Sequence, residues 1–263
     1  MFCVTADYPT EWVDARINIL SDLHIGDPHA DMEVIRERVS RIHDDPHGLC
    51  ILNGDIMNTA VRNSVSDVYA EVLSPMEQIN LAVSLLSPIK DKIIAADTGN
   101  HEQRTYKTDG IDMMRLVCRE LGIESRYAPE GILCFLRFGN KPKCDRSNRR
   151  LIQPHTYTIY ATHGTGGGRK EGAKAIRLAD LAGIVDADIY IHSHTHLPMI
   201  MKQSFFRVDV QNRIARPVDK LFVNDAATVS YGGYGQSYEF KPASQQSPVI
   251  HLGGQYKDMK ATL

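Results

Sequence analysis

Paired cysteines are the first thing this sequence lacks. Its five cysteines, Cys3, Cys50, Cys118, Cys134 and Cys144, are scattered with no C-x-x-C spacing. An odd, unclustered set argues against a disulfide framework and for a reducing compartment. Charge of one sign is also missing. Thirty Lys and Arg against 32 Asp and Glu leave a formal net charge of −2, which fits neither a nucleic-acid coat nor an acidic tail. The stretch Met1 to Asp14 carries Asp7, Glu11 and Asp14 and no apolar core, and no later run is apolar for the length of a bilayer. The expectation is therefore no signal peptide, no transmembrane span, no membrane partner and a cytoplasmic protein. There is no internal repeat, low-complexity tract or linker. The 263 residues are read as one domain over 1–263, long enough for a substantial core.

What is present is an alternation of strand-like and helix-like segments. Arg16 to Leu20, Gly48 to Leu52 and Lys92 to Ala96 read as strands. Met32, Ile35, Val39 and Ile42 recur at helical spacing behind a cap candidate, Asp31. Val65 to Leu86 reads as helical, divided at Pro75, and Ile111, Met114, Val117 and Leu121 mark a further helix. Ile132 to Phe138 and Thr156 to Tyr160 suggest a β-hairpin over 132–160 with a long loop bearing Lys141, Lys143, Arg146, Arg149 and Arg150. A helix around Ala173 to Leu181 and strands at Asp188 to His192 and Leu221 to Asn224 follow. The tail after Ser230 reads as loops with at most one short strand. The early alternation predicts a largely parallel sheet, in which ligands bind beyond the carboxyl ends of the strands.

Polar segments sit at that end of five of these strands. They supply Asp22 and His24, Asp55, Asn100, His163, and His194 with His196. His194 and His196, at i and i+2, point the same way on an extended chain. The set mixes carboxylate, imidazole and amide with no thiolate. That suits manganese, iron, zinc, cobalt or nickel better than copper(I), and its nitrogen content argues against a magnesium- or calcium-only site. Seven donors are too many for one tetrahedral ion and fit two ions sharing a carboxylate.

The segments Asp22-Leu23-His24, Gly54-Asp55, Gly99-Asn100-His101-Glu102, His163-Gly164 and Ser193-His194-Thr195-His196 resemble, in order, the five motifs of the calcineurin-like metallophosphoesterase superfamily. The resemblance spans residues 22 to 196. It implies an α/β fold, a double β-sheet sandwich flanked by helices. It also implies that Asp22, His24 and His196 bind one metal, that Asn100, His163 and His194 bind the other, that Asp55 bridges them, and that His101 acts on the leaving group. The cofactors expected are two divalent transition-metal ions, manganese first. The reaction expected is hydrolysis of a phosphate ester by a metal-bridging hydroxide. A phosphodiester, either a nucleotide or a nucleic acid, is the preferred substrate, with a phosphomonoester as the nearest alternative. Two residues depart from the pattern. Asn58 stands where many members have the last aspartate of Gly-Asp-x-x-Asp, which weakens kinship to protein phosphatases. Ser193 replaces the usual glycine. The run Gly164 to Lys170 is similar to phage-type and bacterial members.

Plainer readings stand beside these. Asp22 could end a strand as a turn residue, and Asn100 could cap a helix. The glycine-rich run could cradle phosphate or merely connect, and it lacks the Gly-Lys-Ser/Thr of a P-loop. Arg104, Arg169 and Lys170 are candidate substrate contacts or solvated charges. The basic loop could meet nucleic acid or be a hairpin tip. Two other classes fit less well. A non-catalytic binding module on the same fold should have lost ligands, and a dinuclear amidohydrolase or arginase-like enzyme needs paired Asp-x-His-x-Asp patterns that are absent here.

Overall fold

The computed structural model describes residues 1–62, 64, 68–139, 154–166 and 168–263. In chain order its elements begin with strands β1 (Phe2–Tyr8) and β2 (Ala15–Leu20), helix α1 (Met32–Asp44), β3 (Gly48–Asn53), α2 (Pro75–Leu86) and β4 (Ile93–Asp97). They continue with α3 (Glu102–Asp109), α4 (Met113–Glu120), the strands β5 (Ile132–Phe138) and β6 (His155–Ala161), α5 (Glu171–Asp180) and β7 (Ile189–His192). The chain closes with the long strands β8 (Met199–Asp209) and β9 (Ile214–Asn224), the short helix α6 (Gly233–Ser237), β10 (Val249–Leu252) and β11 (Met259–Thr262).

The strands form two mixed sheets, ordered β1-β5-β6-β7-β9-β8 and β11-β10-β2-β3-β4. Side-chain alternation decides how they stack. Ile17 and Ile19 of β2, Leu49 and Ile51 of β3, and Ile189 and Ile191 of β7 all enter one apolar core, to which both sheets contribute. The intervening residues turn outward. Cys50 and Leu52 of β3 pack with α1, α2 and α4, and Tyr190 of β7 packs with Leu178 of α5. Strands buried on both faces read as near-continuous apolar runs, as these do. The result is α/β, two sheets flanked by helices. Among the described residues no helix is long and apolar enough to cross a membrane.

Several sequence expectations change. Helix α2 starts only at Pro75. Ser74 precedes it and donates its backbone N–H to Glu77, a capping arrangement that fixes the start. Residues 68–74 are turns and bends, where Val72 N–H bonds to Gly26 O at 3.0 Å, and Val65 lies outside the described residues. The sheets are mixed rather than largely parallel, because β5–β6 is a hairpin and β10 returns antiparallel to β2. The hairpin strands stand as read, but its basic loop, Lys141 to Arg150, lies outside the described residues. Strands β1 and β8 and helix α3 were not expected, and the tail forms two short strands. Cys50, Cys118 and Cys134 are buried and unpaired, Cys3 is exposed, and Cys144 lies outside the described residues.

Candidate metal centre

The seven donors converge just beyond the carboxyl ends of β2, β3, β4, β6 and β7. The backbone there is held where non-glycine residues rarely go. Asp22, His24, Asp55, His194 and His196 have φ of 49, 49, 51, 63 and 56°. Each such residue costs on the order of 1–3 kcal/mol and persists only where its surroundings over-determine it. Here they do. Asp22 N and His24 N donate to Gly54 O and Asp55 O, both at 3.1 Å, and His194 N donates to Asp22 Oδ2 at 3.1 Å. Gly99 is required at this crowding, since a Cβ there would fall on Asp55 Oδ1.

One group comprises Asp22, His24 and His196. The Nε2 atoms of the two histidines are 3.3 Å apart, and Asp22 Oδ1 lies 3.1 Å from His196 Nε2 and 3.9 Å from His24 Nε2. Asp22 is fully buried, yet among the described residues this oxygen has no hydrogen-bond partner, and neither has His24 Nδ1. A second group comprises Asp55, His163 and His194. His163 Nδ1 donates to Asn53 O at 2.8 Å, which points Nε2 at Asp55 Oδ2, 3.1 Å away, and Asn100 Oδ1, 3.2 Å away. Asn100 therefore does not cap α3. A third trio, His24, Asp55 and His101, joins the two through Asp55.

Burial disfavours charge on Asp22, His24, Asp55, His163 and His194, and neighbours decide the outcome. Against burial, His196 and His163 hold Asp22 below the usual carboxylate range. His163 and His101 likewise hold Asp55 well below it. Burial opposes a proton on His163, but Asp55, Asp22 and Asp97 lift it well above an ordinary histidine. Burial, with His163 next to it, pushes His194 down to about 4, and burial with His101 pushes His24 down. Nitrogen and oxygen atoms crowded this closely need a shared proton or a cation between them. The nitrogen and oxygen donor set fits a divalent metal.

His101 sits on the rim with its ring edge-on to His24, centroids 4.4 Å apart. Its Nδ1 donates to Asn58 O at 2.8 Å, and Nε2 lies 3.8 Å from Asp55 Oδ2. Arg104 donates to that same Nε2 at 2.9 Å, so this candidate substrate contact is placed against His101. Arg169 is not brought to the centre. Its guanidinium lies 5.3 Å over the Phe240 ring, and Lys170 is an exposed residue at the start of α5. In the glycine-rich run, Gly164 has a packing role, because a Cβ there would fall on His192 Nε2. Gly167 lies outside the described residues.

Supporting residues went unassigned in the sequence. Glu102 accepts from Asp55 N, Met57 N and Gly99 N at 3.1, 2.9 and 3.0 Å, tying two ligand loops together. Burial and nearby Asp55 push its pKa up to about 7. Asp97 accepts from His163 N at 2.8 Å, and burial pushes it up to about 8. Lys174 of α5 donates to Thr195 O at 2.7 Å, between the two motif histidines. The available signal was a polar residue ending an apolar run, as with Asn53 and Asp97.

No protein-family model matches the chain, and no curated protein matches it in sequence. Solved structures do resemble it. A conserved uncharacterized protein of Streptococcus pneumoniae TIGR4, described as a predicted phosphoesterase, shares 14% identity at a TM-score of 0.36, over 95% of this chain and 97% of that one. Vacuolar protein sorting 29 from Cryptosporidium parvum shares 13% at 0.43, over 95% and 97%. A metallophosphoesterase from Sphaerobacter thermophilus shares 12% at 0.42, over 94% and 88%. At such scores the chemistry is carried by the chain's own side chains.

Proposed function

We propose that this chain is a divalent-metal-dependent phosphoesterase that prefers a phosphodiester, with manganese as the first-choice metal. The observation that supports it most is the convergence of nitrogen and oxygen donor atoms across two short gaps. These are His163 Nε2 against Asp55 Oδ2 and Asn100 Oδ1, and the two histidine nitrogens beside the unbonded Asp22 Oδ1. Asp22, His24 and His196 would hold one ion, Asn100, His163 and His194 the other, with Asp55 shared. When bound, such ions neutralise charge on phosphoryl oxygens and lower the pKa of a bound water.

The chain's own contribution is at His101. Asn58 O fixes the proton of Nδ1 and Nε2 accepts from Arg104, so to protonate a departing alkoxide Nε2 must exchange the Arg104 contact for a proton of its own. Burial, with Arg104 beside the ring, lowers the pKa of His101. Asn58, in place of the aspartate of the protein-phosphatase pattern, supports the diester preference.

The test is metal analysis with a substrate panel. Purified protein loaded with manganese should carry two ions per chain and hydrolyse bis(4-nitrophenyl) phosphate faster than 4-nitrophenyl phosphate, and a chelator should abolish both activities. The reverse ratio would make it a phosphomonoesterase. No hydrolysis of any ester with manganese, zinc, iron, cobalt or nickel would end the proposal.

A further inference from the structure

Beside the His163 half of the centre, a cavity of ≈400 Å³ opens between Asn100 and His163 on one side and α5 on the other. Its volume falls in the range of about 300–1,000 Å³ that small-molecule sites occupy. Its walls are of two kinds. Tyr160, Pro129, Leu181 and Ile184 supply apolar surface. Gln103, Glu130, Arg177 and Asp180 supply polar groups, and none of these four side chains has a hydrogen bond or ion pair among the described residues.

A group attached to a phosphate bound at the centre would extend into this space. Away from His163, two carboxylates stand against one guanidinium, which disfavours a second phosphate on that wall. An alkyl tail would leave four polar side chains without partners. A flat base joined to a sugar satisfies both kinds of wall. The ring lies against apolar surface, its edge meets the Gln103 amide, and the sugar hydroxyls and base amino groups donate to Glu130 and Asp180. We propose that this cavity receives the nucleoside portion of a small phosphate ester, so that the substrate is nucleotide-sized rather than a nucleic-acid strand. The proposal rests on the phosphoesterase reading above.

Two esters with one leaving group test it, thymidine 5′-(4-nitrophenyl) phosphate and methyl 4-nitrophenyl phosphate. Wild type should favour the thymidine ester in kcat/KM by at least about tenfold, the lower end of what one filled pocket discriminates. Ile184 is 60% exposed, so Ile184→Trp should fold while obstructing the cavity. It should remove the preference, lowering kcat/KM for the thymidine ester far more than for the methyl ester. Joint Glu130→Gln and Asp180→Asn should narrow the gap between the thymidine ester and a short oligothymidylate. In a separate arm with chelator present, thymidine, adenosine, guanosine and cytidine are titrated at millimolar concentration against wild type and Ile184→Trp. Binding of any of them to wild type alone supports the site independently of catalysis. Absence of ester preference, equal loss on both esters, or no nucleoside binding would overturn it. If no ester is hydrolysed at all, the phosphoesterase reading fails, and the titration still decides the cavity.

Discussion

The two halves of the candidate centre are built differently. In the His163 half, the ring is pinned through its second nitrogen to Asn53 O, its backbone N–H is bonded to Asp97, and its carbonyl accepts from Ser193 N at 3.1 Å. In the His24 half, the second nitrogen of His24 and Asp22 Oδ1 have no hydrogen-bond partner among the described residues, and the His196 side chain is 38% exposed. Outer hydrogen bonds orient a metal-binding ring and fix its tautomer, so the pinned half should hold its ion more tightly. The lesson is that donors of equal number need not make sites of equal affinity. Graded removal of metal should therefore empty the His24 half first.

The largest expected effect tests what the halves share. Asp55→Asn puts a neutral amide between them and should cost both ions and reduce turnover to background, with the fold retained by circular dichroism. Asp22→Asn, which removes a charged donor from one half only, should cost one ion. Two ions retained in Asp55→Asn would remove Asp55 from between the halves.

Next comes His101, which belongs to neither half as a ligand in the role proposed for it. His101→Gln should keep both ions and slow a nucleotide diester by about 10²–10⁴-fold, the usual contribution of general acid catalysis. A nitrophenyl ester should slow far less, since its leaving group is already a stable anion. An equal deficit on both would indicate phosphate positioning by His101, and loss of an ion would make it a ligand, as its place in a trio with His24 and Asp55 allows.

A smaller effect sharpens the comparison from outside. Glu102 braces the loop that carries Asp55 and the glycine before Asn100. Glu102→Gln exchanges one acceptor oxygen for a donor and should weaken metal binding by about 10–100-fold, as outer-layer changes do. The loss should fall mainly on the His163 half, which competition with a graded chelator would read. Equal weakening of both halves would mean that Glu102 supports the fold rather than one site.

How far this was legible depends on sequence distance. The seven donors lie within a few residues of apolar runs, so local pattern was enough to single them out. Their supports are long-range. Asn53 Nδ2 reaches Thr162 O and Ser193 Oγ more than a hundred residues away, and no local pattern signals that. The same holds for the missed strands. β1 pairs in parallel with β5, some 130 residues on, and the distal part of β8 is solvent-exposed and lacks a buried face to set an alternation. Helix α3 was missed because its eight residues are nearly all polar, and Gly110 ends it at φ 71°. The departure at Asn58 also has a tertiary reason. Its side-chain amide donates to Glu71 and, at 3.4 Å, to Asp27 Oδ2, so an aspartate there would be a third carboxylate in one half-buried place.

The other departure, Ser193, carries the smallest prediction. Its hydroxyl accepts from Asn53 Nδ2 at 2.6 Å, but that amide also donates to Thr162 O at 3.0 Å. Removing the hydroxyl therefore leaves the amide with a partner. The atom that orients His163 is the backbone oxygen of Asn53, held within β3 whatever residue 193 is. Ser193→Gly should cost about 1 kcal/mol of stability, the net value of one hydrogen bond. It should leave the ion count and the order of ion loss unchanged. If Ser193→Gly instead reversed the order of ion loss, the pinning of His163 would depend on the serine, and the contrast between the halves would rest on that one hydroxyl rather than on β3.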